Sequence, residues 1–348
     1  MLIPKERLPL AHMVLYGWLP SGIKIWAYRT FRGYQIGEGV KIGFGGVVVG
    51  KDVQIDDRVE IGLFAVVIGR KIRIGRRSTV GTMSYVQCET IEMGEEARIR
   101  EQVYVGGPML PESRFTLGSR TIVLQMAYIN PTKPVEIGDD SGIGGHCLIF
   151  THGAWLNALE GYPVNYAPVT IGKSVWLPWR VFVMPGSTIG DGSVIGANSL
   201  VVGDIPASSL AVGSPAKVVK SAPDFPRRLS DEEKATLVEQ MMDDFDRWAA
   251  HNGVTVGREG LHRTYAKDGR VYRLMWEHGT VPNTAVVGRA DTVLSETRIG
   301  ELERERYRER GVHWLDLPAK ERSESGSDLT EEVATFLGRY GIRLVRVP

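Results

Sequence analysis

A six-residue spacing of aliphatic side chains constrains this sequence more than any other feature. The spacing fits neither the period of an α-helix nor the simple alternation of a β-strand. It predicts a coil of short flat strands joined by tight bends, with one aliphatic side chain per strand pointing inward. Three such strands would form one triangular turn of about 18 residues, as in a solenoid. Six aliphatic residues keep the spacing without a break within residues 169–202: Ile171, Leu177, Val183, Ile189, Ile195 and Val201.

The same repeat extends back to about residue 34. Smaller or β-branched residues recur four positions after the aliphatic ones, and we expect them, up to Thr90, to point inward near the corners. Two steps of seven, from Ile42 to Val49 and from Ile61 to Ile68, interrupt the spacing. The signal weakens from about residue 91 to 135. The other aliphatic positions that match are Ile36, Ile55, Ile74, Val80, Val86, Ile99, Val105, Leu117, Val123, Ile137, Ile143 and Ile149.

The longest interruption, between Ile149 and Ile171, predicts a projecting loop over residues 151–168. A stacked solenoid expels an insertion to its surface, and long loops on rigid scaffolds often carry function. Glycine, asparagine and aspartate near the bends are expected to supply left-handed backbone angles.

Composition excludes several classes of protein. The charged content is 24% and the net charge is +1, so nothing indicates nucleic-acid binding. No apolar run is long enough to span a bilayer. The two cysteines, Cys88 and Cys147, are too few for a disulfide framework and fit a reducing compartment such as the cytoplasm.

Residues 1–33 combine aromatic and aliphatic residues with cations that include Lys5 and Arg7. They lack a cleavage site after an apolar stretch, so no signal peptide is predicted. Two interpretations remain open: a helix that caps the end of the coil, or an interfacial helix in peripheral contact with a membrane.

Several segments resemble the hexapeptide-repeat acyltransferase superfamily, near its galactoside and maltose acetyltransferase branch. They are THG at 151–153, VTIGKSVW at 169–176, MPGSTIGDGSVIGANSLVVGDIP at 184–206 and AVGSPAKVVK at 211–220. The resemblance implies a left-handed parallel β-helix over residues 34–221, a homotrimer, and an acyl-CoA co-substrate, most simply acetyl-CoA, lying between two subunits. It implies no further cofactor. The acceptor would be a small sugar-like molecule that offers a hydroxyl or an amine.

Within that resemblance, His152 matches the catalytic histidine, which acts as general base. An imidazole changes protonation near neutral pH and can take a proton from the attacking acceptor. His146, one repeat earlier, is expected on an adjacent face of the coil. Asn130, Thr151, Trp155 and Tyr162 are candidates for orienting the histidine or lining the acceptor pocket.

On the donor side, Ala197 matches a small residue beside the pantetheine, and Lys217 and Lys220 match cations near the CoA phosphates. Trp179 departs from the family pattern, because a small residue is usual there. It would narrow the donor groove, stack on the donor or point elsewhere. A non-catalytic trimeric scaffold therefore stays open as an alternative.

A carbonic-anhydrase-like zinc site is a weaker alternative, because the repeat region offers only His146 and His152. We therefore predict no metal site.

Residues 222–348 lie outside the repeat and predict an α+β domain of unknown role. Ser230 and Glu233 form a capping box for a helix to about residue 250. Asp268-Gly269 predicts a hairpin, and residues 299–310 a solvated charged helix. Strands are expected at VHWLDL and IRLVRV, with a helix between them that is capped by Asp328 and ended by Gly341.

Overall fold

Short parallel strands stacked in three sheets build the first part of the chain. The computed structural model describes residues 9–282 and 291–347. The chain divides into two units, Met1–Arg228 and Leu229–Pro348. The predicted fold class, a left-handed parallel β-helix of hexapeptide repeats followed by an α+β domain, is confirmed.

The strands of the first unit follow one another around the coil. In chain order they are β1 (Gln35–Ile36), β2 (Lys41–Ile42), β3 (Val47–Val49), β4 (Asp52–Ile55), β5 (Glu60–Ile61), β6 (Val66–Ile68), β7 (Lys71–Ile74), β8 (Thr79–Val80), β9 (Tyr85–Gln87), β10 (Thr90–Met93), β11 (Arg98–Ile99), β12 (Tyr104–Val105), β13 (Arg114–Leu117), β14 (Ile122–Val123), β15 (Tyr128–Asn130), β16 (Val135–Ile137), β17 (Gly142–Ile143), β18 (Leu148–Phe150), β19 (His152–Gly153), β20 (Asn165–Tyr166), β21 (Val169–Ile171), β22 (Trp176–Leu177), β23 (Phe182–Val183), β24 (Thr188–Ile189), β25 (Val194–Ile195), β26 (Leu200–Val201), β27 (Leu210–Gly213) and β28 (Ala216–Lys220).

Three sheets form the walls of the coil. Sheet A contains β1, β4, β7, β10, β13, β16, β21 and β24. Sheet B contains β2, β5, β8, β11, β14, β17, β22 and β25, and is extended by β27 and the antiparallel β28. Sheet C contains β3, β6, β9, β12, β15, β18, β23 and β26. The chain passes from A to B to C and back to A, so every turn has three corners.

The aliphatic positions of the repeat form one continuous core along the inside of the coil. The two steps of seven predicted at Val49 and Ile68 are wrong in their placement. Val48 and Val67 point inward instead, and Val49 and Ile68 are half-buried. Side chains alternate along a strand, so only the middle residue of β3 and of β6 can face the core. Thr90 is misplaced for the same reason.

The extra residue lies instead at the corner between sheets C and A. Ile36 pairs with Ile55, and Ile55 with Ile74, so each early turn takes 19 residues. Ile171 pairs with Ile189, which is the expected turn of 18. The expectation of 18 residues therefore holds only where the repeat is unbroken.

Left-handed corner residues are mostly not glycine, asparagine or aspartate, contrary to expectation. Arg58, Phe64, Arg77 and Met83 all have a φ between 52° and 58°. Their N–H groups donate to carbonyls of the preceding turn, as Arg58 does to Glu38 at 2.7 Å. Coil-to-coil hydrogen bonds thus offset a conformation that costs an ordinary residue about 1 kcal/mol or more.

Two helices, α1 (Leu10–Tyr16) and α2 (Ser21–Arg32), precede the first coil. Ala27 and Tyr28 of α2 are buried against it, and Lys24 is buried with them. Lys5 and Arg7 lie outside the described residues. No helix among the described residues is long and apolar enough to cross a membrane.

In its described residues, 229–282 and 291–347, the second unit contains a mixed seven-stranded sheet and three α-helices. Its elements are α3 (Asp231–His251), β29 (Thr255–Glu259), β30 (His262–Lys267), β31 (Arg270–Glu277), β32 (Thr292–Ser295), α4 (Glu301–Glu309), β33 (His313–Asp316), β34 (Glu321–Ser323), α5 (Asp328–Leu337), a 3-10 turn (Gly338–Tyr340) and β35 (Val345–Val347).

The capping box of Ser230 and Glu233 and the hairpin at 268–269 are confirmed. Three details differ from expectation. Ser327, not Asp328, caps α5, since its side chain accepts the N–H of Thr330. The α-helix stops at Leu337, and a 3-10 turn separates it from Gly341. Helix α4 is not wholly solvated, because Arg304 and Tyr307 are buried on its inner side.

Candidate functional site

His152 lies at the corner where sheet C passes to sheet A, at the base of the projecting loop. It begins β19, which pairs antiparallel with β20, so that His152 faces Tyr166 across the loop's two ends. The imidazole stacks on the Tyr166 ring, with centroids 5.6 Å apart, and stays half-buried. The loop base therefore holds the histidine on a rigid ladder while leaving part of its ring open to solvent.

Asn130 reaches the histidine from the preceding coil. The Oδ1 atom of Asn130 lies 3.2 Å from Nδ1 of His152. The same Oδ1 accepts the N–H of Thr132 at 3.2 Å and its hydroxyl at 2.7 Å, which identifies this atom as the oxygen. An acceptor beside Nδ1 favours the tautomer that carries its proton there. The lone pair of the neutral ring is then on Nε2.

Thr151 supports this arrangement from inside the coil. Its side chain is fully buried and donates to the carbonyl of Asn130 at 2.7 Å, while accepting the N–H of Lys133 at 2.9 Å. Of the two roles expected for Thr151, its buried hydroxyl favours orienting its neighbours over lining an acceptor pocket. It orients the backbone on which Asn130 sits.

Gly107 makes room for Asn130 one coil earlier. A Cβ atom at Gly107 would lie 2.5 Å from Oδ1 of Asn130, closer than any real contact. Gly107, Thr132 and Tyr166 were not among the predicted site residues. Glycine at 107 stands in a corner where spacing alone does not distinguish a close approach from an ordinary bend.

The two aromatic loop candidates do not contact the histidine within the chain. Trp155 is 95% exposed and Tyr162 is 46% exposed. A side chain as exposed as Trp155 does not form the wall of a pocket within one chain. It could line a pocket only if another surface packed against it.

Trp179 lies at a different corner, between sheets B and C. Its indole folds back on the preceding coil, where a Cβ atom at Gly145 would lie 2.4 Å from the ring. The ring also sits 5.7 Å from the imidazole of His146, which is exposed. One face of the indole thus packs on the preceding coil, and the side chain remains 48% exposed.

Ala197 occupies the same corner as Trp179, one coil further along, and is exposed. The N–H of the next residue, Asn198, donates to the carbonyl of Trp179 at 3.1 Å. Lys217 and Lys220 lie on β28 at the edge of sheet B, and both are exposed. The predicted donor residues therefore share one side of the coil.

Within one chain, the predicted residues fall into two groups. His152, Asn130 and Thr151 meet at the corner between sheets C and A, whereas Trp179 and Ala197 lie at the corner between sheets B and C. The width of sheet C separates the two corners. A single chain therefore does not bring the predicted acceptor and donor groups together.

The remaining reactive side chains are buried or scattered. Cys88 and Cys147 are free and buried, and burial raises the pKa of each thiol to about 11. Neither is set up as a nucleophile. Among the described residues, no group of three His, Cys, Asp or Glu side chains is arranged to hold a metal ion.

Known proteins similar in sequence carry acetyltransferase names. A Staphylococcus aureus (strain Mu50 / ATCC 700699) protein named "Putative acetyltransferase" is 56% identical over 61 residues, which cover 18% of this chain and 30% of the relative. The Escherichia coli (strain K12) "Putative colanic acid biosynthesis acetyltransferase WcaF" is 36% identical over 107 residues, which cover 31% of this chain and 58% of the relative. This chain thus spans less than two thirds of either relative.

Similar solved structures include the polySia-specific acetyltransferase NeuO, at a TM-score of 0.32 and 23% identity, covering 57% of this chain and 88% of that one. A galactoside acetyltransferase in complex with coenzyme A matches at a TM-score of 0.25 and 19% identity, covering 62% and 79%. No family model matches the chain. The names of the sequence relatives are those of acetyltransferases, as the resemblance noted in the sequence implies.

Proposed function

We propose that this chain is an acyltransferase that moves an acyl group, most simply acetyl, from a CoA thioester to a hydroxyl or amine of a sugar-like acceptor. The observation that carries the proposal is the contact of 3.2 Å between Nδ1 of His152 and Oδ1 of Asn130. Of the two tautomers of the neutral imidazole, it favours the one whose lone pair is on Nε2, which is the form that a general base at that atom requires. The acetyltransferase names of the relatives support the same activity.

His152 would act by direct transfer between two bound substrates. Nε2 takes the proton of the acceptor hydroxyl as its oxygen attacks the thioester carbonyl. The new C–O bond forms, the C–S bond breaks, and the departing CoA thiolate takes the proton back from the imidazolium. The side-chain oxygen of Asn130 stabilises that imidazolium through Nδ1–H, and the stacked Tyr166 keeps the ring in plane.

The donor would lie against the corner of Trp179 and Ala197, with Lys217 and Lys220 near its phosphates. The separation of the two corners favours a site completed by two copies, as in the trimer that the family resemblance implies. Acyl-CoA chemistry and the reduced thiols are compatible with a cytoplasmic location.

The test combines binding and transfer. Acetyl-CoA and CoA binding are measured by calorimetry, and acetyl transfer to a galactoside or to maltose is followed through thiol release. We expect binding near one CoA per chain, weakened by Lys217→Ala and Lys220→Ala. His152→Ala should lower kcat by about 10²- to 10⁴-fold while CoA still binds.

His278→Ala, in the second unit, is the matched control and should leave transfer unchanged. Undiminished transfer by His152→Ala would contradict the role of His152. If the wild-type chain bound no CoA, the proposed acyltransferase activity would be contradicted. The non-catalytic scaffold would then be favoured.

A further inference from the structure

The two N-terminal helices and the bend between them expose several large apolar side chains. We call this surface the N-terminal patch and define it by Val14, Leu15, Trp18, Ile23, Trp26 and Phe31, which are between 52% and 68% exposed. Aromatic contacts extend it onto the corners of the first two coils, since the Trp18 ring packs edge-on against Phe44 at 5.0 Å and Phe44 against Phe64 at 5.7 Å. An apolar surface of this extent indicates an interaction site.

The patch is held rigidly, because the inner side of α2 is fully used in packing. The ammonium group of the buried Lys24 donates to the carbonyls of Gly43 and Gly46, each at 2.8 Å. The hydroxyl of Tyr28 accepts the N–H of Val48, and that of Ser21 accepts the N–H of Ile42. Helix α2 therefore cannot rotate to bury its exposed aromatic side chains without breaking these bonds.

Among the described residues, the two N-terminal helices carry charge of one sign. Residues 9–37 contain Lys24, Arg29 and Arg32 and no aspartate or glutamate. Arg29 and Arg32 are exposed, and the structure shows their guanidinium groups donating to backbone carbonyls, such as that of Ile36. No ion pair between these two arginines and a carboxylate occurs in the part of the chain that the structure describes. Their positive charge is therefore available to an outside partner.

An anionic lipid surface matches this combination better than a second copy does. Docking patch to patch would bring the arginines of two copies together with no carboxylate in residues 9–37 to neutralise them. A bilayer supplies the opposite charge, and tryptophan side chains such as Trp18 and Trp26 favour the boundary between lipid tails and head groups.

We infer that the N-terminal patch is a peripheral membrane-contact surface, which inserts its aromatic side chains among the head groups of anionic lipids. Helix α1 has 7 residues and α2 has 12, so they lie on the surface rather than span it. This inference is independent of the proposed transfer reaction, since it depends only on residues 9–64.

Vesicle flotation of the full chain tests the inference. Vesicles of phosphatidylcholine alone are compared with vesicles that also contain phosphatidylglycerol, at low and high salt. We expect binding only with phosphatidylglycerol, and weaker binding in salt. The double change Trp26→Ala with Phe31→Ala should weaken binding at least about tenfold, and Arg32→Gln about fivefold.

Matched controls are Leu302→Ala, which removes an equally exposed leucine from α4, and Arg298→Gln, which removes an exposed arginine of the second unit. Both should bind like the wild type, and all variants should keep the wild-type circular dichroism.

Failure of the wild type to float with either kind of vesicle would overturn the inference. Equal flotation of the wild type and of the patch variant, which carries Trp26→Ala with Phe31→Ala, would overturn it too. A third outcome would also overturn it. If the patch variant bound vesicles like the wild type but differed from it in oligomeric state, measured by sedimentation without lipid, the patch would be a contact between copies of the chain. Transfer to a dissolved acceptor should be unaffected in every case, which separates this test from that of His152.

Discussion

The β-helix and the C-terminal unit bury their polar groups in opposite ways. Inside the coil, the buried polar side chains are short, and most of them join one turn to the next. Ser141, for example, donates to the carbonyl of Gly172 at 2.8 Å and accepts the N–H of Val175 at 3.0 Å. Among the described residues of the first unit, the single buried charged side chain is Lys24.

The C-terminal unit instead buries several charged groups. Arg263, Arg304, Asp316 and Arg322 are all at most 7% exposed. Asp316 accepts the N–H groups of Ile299 and Ala319 and pairs with Arg304 at 3.1 Å. The guanidinium of Arg304 also lies 4.5 Å from the Trp314 ring. Unlike the serine contacts of the coil, these contacts do not recur elsewhere along a repeat.

The difference shows two ways of specifying a fold. A repeat satisfies buried backbone groups with the same small side chain at each turn, so its stability is spread over many similar contacts. A non-repeating sheet concentrates specificity in a few buried charge networks, which are costly to break. The following changes test that comparison.

The largest effect is expected from Asp316→Ala. It removes a partner of Arg304 and leaves the buried N–H of Ile299 and the part-buried N–H of Ala319 without this acceptor. We expect the free energy of unfolding of this unit to fall by about 3–5 kcal/mol, measured by urea denaturation. Glu239→Ala, which breaks the exposed pair with Arg258, is the control and should cost less than about 1 kcal/mol. A loss for Asp316→Ala no larger than the control's would show that the buried network contributes little.

Gly107→Ala tests the close approach between coils. The new Cβ atom would collide with the side chain of Asn130, which must move away from His152. We expect kcat for acyl transfer to fall about 10- to 100-fold, with CoA affinity unchanged, because only the orientation of the base is lost. Gly153→Ala lies beside the histidine but meets nothing within 4 Å, so its kcat should stay near wild type. Equal rates for both variants would rule out a positioning role for Gly107.

The last change concerns Lys24, the exception inside the first unit, and its effect appears only as a dependence on pH. Burial lowers its pKa to about 8, against 10.5 in the unfolded chain. The unfolded state therefore binds more protons between these two values. The free energy of unfolding should rise with pH there, by up to ~1.4 kcal/mol per pH unit relative to Lys24→Met, and this contribution is lost as the pH falls through about 8. Denaturation of both proteins across this range gives the comparison. Parallel pH profiles would mean that Lys24 titrates as in the unfolded chain.

Most of the candidate site could be named from the sequence, but not its contacts. His152 stands in a recognisable motif before the longest interruption of the repeat. Asn130 was a looser match, and the structure places its side chain against the histidine. Gly107 carried no signal, because its role depends on which side chain lies in the next coil. Thr132 carried none because its contact with Asn130 depends on the local bend of the chain. The choice between the two roles expected for Thr151 depends on its burial, which the stacking of coils decides.

The period of six by itself determined the architecture of the coil, the projecting loop and most residues of its core, since a spacing repeated so often fits a coil of short stacked strands. Tertiary structure decided where the 19-residue turns place their extra residue, since only the pairing of neighbouring strands shows which of two valines faces inward. It also decided that Trp179 lies on Gly145 and that the two groups of site residues occupy different corners. These facts are distances between residues of neighbouring turns and corners, and a linear sequence does not contain them.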